Sequence, residues 1–182
     1  MEDLGNEKDD LPRRGSILYN LLKADEYKRK KILKRWKRMN KYFTLPFYKL
    51  GILPLFGFGR IFLILTTKGR KTGKMRKTPL EYRKIDEIIT IFSARGESSD
   101  WLKNLRANPE NARVKYGFHS FKPRIEFVEA YGQKLHIIQY YITNHQKAAK
   151  MLFGWNTEKD DIDTIDFSRL TNILSIVRLH KP

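Results

Sequence analysis

Apolar positions in the N-terminal part of the chain follow a helical rhythm. Ile32, Trp36, Met39 and Phe43 fall at i, i+4, i+7 and i+11, while Lys30, Lys34, Lys37 and Lys41 keep the same spacing on another face. The pattern predicts an amphipathic, basic helix over residues 25–43, followed by a stretch to residue 56 that is unusually apolar for a surface linker. The period then changes. Residues 61–67 are β-branched and aromatic-rich, and apolar/polar alternation resumes at Pro79, which predicts strands at 61–67, 76–84 and 87–93, the last two joined by a tight turn around Asp86. A short helix is expected at 99–107, with Ser98 or Ser99 to cap its start and Asn108-Pro109 to end it. Further strands are expected at 114–116 and 121–130 around a turn at Gly117, with Pro123 at an edge or a bulge. A helix over 133–153, an acidic loop over 158–166 and a closing strand over 172–179 follow. Strands packed in sequence with helices at the periphery argue for an α+β barrel.

The 182 residues, 41% hydrophobic, suit one domain with a real core and an N-terminal extension. The expected divisions are a flexible acidic and polar N-terminus over 1–24, the basic helix and apolar linker over 25–56, and the barrel over 57–182. The absence of cysteine excludes a disulfide framework, a thiolate metal site and a cysteine nucleophile, and it fits an intracellular protein. His119, His136, His145 and His180 lack metal-ligand spacing, so no metal is expected. Residues 1–12 lack the charged-then-apolar order of a signal peptide. Only Lys49 and Arg60 interrupt residues 42–67, but Pro46, Pro54 and three glycines break any continuous span there. A membrane helix would need roughly 20 unbroken apolar residues.

Charge changes the picture further. The net charge of +17 resides almost wholly in two segments: residues 23–41, with ten basic and two acidic side chains, and residues 60–84, with nine basic and one acidic. The surface is otherwise balanced. The first segment suits either an interfacial helix on anionic lipid or a helix docked on the barrel by its Trp36 stripe. The second is a turn between apolar runs. Gly69 and Gly73 are expected at positive φ, where backbone N–H groups can converge on one point. Arg70, Lys71, Lys74, Arg76 and Lys77 add five positive charges, and Thr72 and Thr78 add hydroxyl donors, a set that suits a phosphate or carboxylate. A solvated basic hairpin tip is the alternative. So is a surface for RNA or DNA phosphates, with Trp36, Tyr42, Phe43 and Tyr82 nearby, although no nucleic-acid fold motif accompanies it.

Three motifs occur in order. Thr66-Thr67-Lys68-Gly69-Arg70-Lys71-Thr72-Gly73 runs on through Arg76 to Pro79-Leu80; a second strand ends in Ser93-Ala94-Arg95-Gly96; Trp101-Leu102-Lys103-Asn104-Leu105-Arg106-Ala107-Asn108-Pro109 closes the window. On these motifs residues 61–109 resemble the deazaflavin-dependent nitroreductase family, also called the F-420-dependent quinone reductase-like proteins. Weaker similarity extends back to about residue 36 and forward to about residue 130. The family's Ser-Lys-x-Gly appears as Ser93-Ala94-Arg95-Gly96, with the cation displaced by one position, and the frequent Tyr after the Trp is Leu102.

The resemblance implies a split β-barrel of the flavin-binding, pyridoxamine-phosphate-oxidase-like type, here with a basic N-terminal helix. It implies coenzyme F-420, a deazaflavin with one phosphate and an oligoglutamate tail, in a groove on the barrel; FMN or haem in that groove are less favoured. It carries Arg70, Lys71 and Arg76 to the tail and phosphate, and Thr72, Thr78, Pro79 and Leu80 to the lining of phosphate and ring. Ser93, Ala94, Arg95 and Gly96 form the second loop, and Trp101, Leu102 and Asn104 lie along the ring's other edge. The implied activity is hydride transfer to a small-molecule acceptor such as a quinone, nitroaromatic or activated enone. Tyr140, Tyr141 and His145 are candidate proton donors, and Phe153 and Trp155 a candidate substrate wall, each in competition with plain helix packing. The protein is expected in the cytoplasm, with peripheral attachment to the inner membrane face if the basic helix meets lipid. A membrane-recruited cofactor carrier without catalysis is the remaining alternative.

Overall fold

The computed structural model describes residues 11–49 and 61–182. Residues 50–56 of the expected apolar linker and the first ten residues of the expected flexible N-terminus lie outside them. The chain divides into two compact units.

The helical unit combines residues 11–29 with Glu129–Leu174. Its helices are α1 (Ile17–Lys23), α5 (Tyr131–Asn144), α6 (Gln146–Phe153) and α7 (Ser168–Ile173). Ser16 starts α1 by accepting the Tyr19 N–H on its hydroxyl, and Leu18 and Leu21, three apart, share its buried face. The single helix expected over 133–153 is two, because His145 leaves helical geometry at φ −132° and ψ 48°. Gly154 ends α6 at φ +82°. A Cβ there would also come within 2.8 Å of the Arg13 Cβ, so both backbone and space require glycine. Arg13 in turn donates to Asp160 Oδ2 at 2.6 Å and, through its N–H, to the Phe153 carbonyl at 2.9 Å.

The strand unit comprises Lys30–Val128 and Ser175–Pro182. Its strands are β1 (Phe62–Lys68), β2 (Met75–Ile85), β3 (Ile88–Ser93), β4 (Arg113–Tyr116), β5 (His119–Phe121), β6 (Arg124–Val128) and β7 (Ser175–His180). All neighbours are antiparallel, in the order β5-β4-β1-β2-β3-β7-β6. Asp86 and Glu87, at φ 51° and 60°, form the two-residue turn between β2 and β3 where the sequence places it.

The sheet's two outermost strands, β5 and β6, are linked only by Lys122 and Pro123. Three residue steps reach about 11 Å. Seven flat strands would hold their edges about 29 Å apart. The sheet is therefore curled, and the strand unit is a curved antiparallel half-barrel. Pro123 explains why the strand expected over 121–130 is divided: it falls in the link, where no ladder donor is needed. The expected strand over 172–179 begins as helix α7, and pairing with β3 starts at Ser175.

Helix α4 (Asp100–Ala107) joins this core. Trp101, Leu102 and Leu105 pack with Leu63, Leu65, Tyr82, Ile89, Ile91, Val114, Val177 and Leu179. Helix α2 (Glu26–Met39) is capped by Asp25, whose carboxylate accepts the Lys28 N–H at 2.7 Å and is held below its ordinary value by that bond. It continues through a π-helical turn, Asn40–Thr44, that packs on β2, into α3 (Leu45–Lys49). Tyr48, 2% exposed, donates to the Lys115 carbonyl at 3.3 Å and so ties α3 to the sheet.

Candidate functional site

The basic turn is a hairpin loop, residues 69–74, between Lys68 and its partner Met75. The Gly69 N–H donates to the Lys74 carbonyl at 2.9 Å, and the Gly73 N–H to the Gly69 carbonyl at 2.8 Å. Only one of its two glycines has positive φ, Gly73 at +66°. Gly69 is needed for space: a Cβ would lie 3.1 Å from the Lys74 oxygen and 3.2 Å from Thr72 Oγ1.

Directly opposed residues of an antiparallel pair share a face. Arg76 therefore lies beside Thr67, Thr78 beside Leu65 and Leu80 beside Leu63. Along β2 this row passes from exposed Arg76 through half-buried Thr78 and Leu80 to buried Tyr82. One strand thus presents charge, then hydroxyl, then apolar surface. Pairing with β3 begins only at Tyr82, so among the described residues no strand covers the outer edge of residues 75–81. Pro79 sits in that open half, which is why an interior strand tolerates it.

Arg70 is not a free cation. Its backbone N–H donates to Asn104 Oδ1 at 3.2 Å, its Nη1 to the same oxygen at 3.0 Å, and its Nη2 to Asp100 Oδ1 at 3.3 Å. Asn104, 7% exposed, is committed to holding the loop. By contrast no carboxylate among the described residues pairs with Lys71, Lys74, Arg76, Lys77 or Arg95. Thr72 is exposed at the tip.

Ser93 is buried and shares a 2.6 Å hydrogen bond with Ser99 while donating to the Gly96 carbonyl at 2.8 Å. Ser99 occupies the N-cap position of α4, yet its hydroxyl goes to Ser93 and not to the helix. The two serines fix the loop of exposed Ala94, half-buried Arg95 and buried Gly96, whose φ is +50°. Leu102 is wholly buried and Trp101 8% exposed, so both support the site from within the core. Asp100 and Lys37 were not anticipated as site residues. The only signal was the position of Asp100 at the start of the Trp-containing helix, where an acidic residue reads as a dipole partner.

Tyr140, Tyr141, His145, Phe153 and Trp155 lie in the helical unit. Tyr141, Phe153 and Trp155 are 2%, 6% and 5% exposed, and Tyr141 meets the rings of His145 and Phe153 edge-on at 5.4 and 5.9 Å. Helix packing accounts for Tyr141 and Phe153. The Trp155 Nε1 is buried with no hydrogen-bond acceptor among the described residues. Tyr140 and His145 are half-buried. No group of His, Asp or Glu among the described residues is arranged to hold a metal.

Residues 56–135 match the model of the F420H(2)-dependent quinone reductase family. This is the family that the three motifs resemble, and the match supports a deazaflavin-dependent oxidoreductase with coenzyme F-420 as its cofactor. The matched segment runs from before β1 through β6 and contains the whole open row of β2. The chain is also similar to a solved reductase dependent on reduced coenzyme F-420 (FDR-A), at 20% identity over 65% of this chain and 94% of that one, with a TM-score of 0.42. A protein from Bacteroides thetaiotaomicron described as a 5-nitroimidazole antibiotic resistance protein aligns at 10% identity over 68% and 75% of the two chains, with a TM-score of 0.47. A pyridoxamine 5'-phosphate oxidase-like protein from Listeria innocua aligns at 11% identity over 66% and 82%, with a TM-score of 0.43. These likenesses assign no residue. No curated protein matches the chain.

The residues fit such a coenzyme. An anionic phosphate and tail require cations that no carboxylate already holds, which the hairpin supplies among the described residues, and an aromatic ring requires apolar surface a few residues away, which half-buried Leu80 supplies on the same face as Arg76.

Proposed function

We propose that this protein catalyses hydride transfer from reduced coenzyme F-420 to an electron-poor acceptor such as a quinone, a nitroaromatic or an activated enone. The observation that carries the reading is the graded row Arg76, Thr78, Leu80 on the open half of β2, which leads to the buried Tyr82. When bound, the reduced deazaflavin supplies a hydride. The chain's own residues bind, orient and exclude water. Lys71 and Arg76 engage phosphate and tail carboxylates, with Arg95 behind them. Thr72 and Thr78 donate hydroxyl hydrogen bonds, and Leu80 forms the apolar wall on the same face as Thr78, while Pro79, turned to the other face, lines the open edge of the strand. Arg70 acts through Asn104, fixing the loop so that its cationic neighbours are held in place. Ser93 and Gly96 set the second loop, while Trp101 and Leu102 keep α4 beneath it. Of the candidate proton donors, Tyr140 and His145 retain the accessibility the role demands, and Tyr141 does not.

A second reading concerns location. Helix α2 buries no residue, and Trp36, Met39 and Phe43 are 39%, 52% and 54% exposed beside a basic flank. That surface favours peripheral attachment to an anionic membrane, where lipid-soluble quinones reside. Among the described residues no helix is long and apolar enough to cross a membrane.

Anaerobic mixing of protein, reduced coenzyme and menadione tests the reaction. Protein-dependent return of the oxidised coenzyme's violet absorbance is expected. No oxidation with any quinone, nitroaromatic or enone would overturn the proposal.

A further inference from the structure

Asp100 touches both basic patches. Its Oδ1 accepts Arg70 Nη2 at 3.3 Å, and its Oδ2 lies 4.0 Å from the Nζ of Lys37 on α2. Two cations far apart in sequence therefore share one carboxylate at the side of the hairpin loop. Lys37 belongs to the row Lys30, Lys34, Lys37 on a single face of α2, and Lys41 continues the spacing in the π-helical turn that follows, with its Nζ 5.0 Å from the centre of the Tyr42 ring. From Lys34 to Lys41 that face extends about 10 Å along the axis. The apolar stripe with Trp36 and Met39 lies on the opposite side and is exposed. Lys37 thus brings the lysine face of α2 to Asp100, with the apolar stripe on the other side of the helix.

We infer that the lysine row of α2 is a second anion subsite, continuous with the hairpin loop, that takes the distal carboxylates of the coenzyme's oligoglutamate tail. The inference rests on the coenzyme reading above. Asp100 is the internal competitor in this subsite: it holds Arg70 and Lys37 together while no ligand carboxylate does, and it repels one that arrives. The tail gains several cations at once, but each exposed pair contributes little, so the preference for long tails is real and modest. Salt weakens it, because every group involved is solvent-accessible.

Fluorescence titration of the intact protein with coenzyme bearing one glutamate and coenzyme bearing several is the test. The native chain is expected to bind the longer form about tenfold tighter at low salt. Reversing the row, Lys34→Glu with Lys37→Glu and Lys41→Glu, is expected to abolish that preference while the one-glutamate affinity stays within about twofold. Reversing the neighbouring face, Lys31→Glu with Arg35→Glu and Arg38→Glu, changes net charge equally and is expected to leave the preference standing. Asp100→Asn is expected to tighten both forms by roughly two- to fivefold. A preference that survives row reversal, or that both triple variants lose equally, overturns the subsite; weaker binding in Asp100→Asn overturns the competitor role. Binding without any tail preference in the native chain overturns this inference alone. Failure to bind either form overturns the coenzyme reading and the subsite with it.

Discussion

Helix α4 places Trp101, Leu102, Asn104 and Leu105 in the interior within eight residues, whereas α2, with fourteen residues and an equally regular apolar stripe, buries none. The periodicity is the same in kind, but the surroundings differ. Helix α4 is tethered between β3 and β4 by a loop pinned through Ser93 and Ser99, so its apolar face is drawn onto the sheet. The ten cations of residues 23–41 resist any placement that removes them from water, and α2 keeps its stripe outside. A sequence pattern says which residues share a face; the tethers and charges around it decide what covers that face.

The sharpest way to break the comparison is to truncate apolar side chains on each helix. Leu102→Ala is expected to cost about 2–5 kcal/mol in urea unfolding, since the side chain is wholly buried. Next comes the polar contact that holds the hairpin. Asn104→Ala leaves the Arg70 N–H without its acceptor and is expected to cost about 1–2 kcal/mol of stability, with weaker coenzyme binding as a second readout.

A pH titration probes the same core. Burial, then the neighbouring Tyr116, raises the Tyr82 phenol above its ordinary value of 10.0, against a smaller opposing pull from Arg83. The folded state therefore holds this proton more tightly than the unfolded chain does. Stability from this source is complete below pH 10 and declines as pH rises through the raised folded value. Tyr82→Phe should flatten the alkaline loss between native and variant unfolding curves, and identical slopes above pH 10 would remove the claim. On α2, the double change Trp36→Ser with Met39→Ser should move stability by no more than about 0.5 kcal/mol. It should nevertheless reduce co-sedimentation with anionic vesicles, and equal pelleting of variant and native protein would count against membrane attachment.

Strands β1 to β3 and helix α4 were legible because their signals are local: branched and aromatic runs, the turn at Asp86, and the Asn108-Pro109 stop. Less legible were the features set by distant partners. Nothing local in residues 121–130 says that Pro123 marks the passage from one sheet edge to the other, or that His145 interrupts a helix of otherwise suitable composition. At the site, the residue types pointed to an anion, and β2 presents Arg76, Thr78 and Leu80 on one face. The sequence could not distinguish cations already engaged, such as Arg70, from those without a carboxylate. Nor could it show that Tyr141, Phe153 and Trp155 are enclosed, since aromatic residues at helical spacing serve packing and substrate contact equally well.

Coenzyme titration of Arg76→Ala and Lys71→Ala tests most directly whether the open row of β2 and its hairpin form the site. Each substitution is expected to weaken coenzyme F-420 by about 1.5–3 kcal/mol, roughly ten- to hundredfold, without change in the unfolding midpoint. Native affinity in both variants would contradict the assignment.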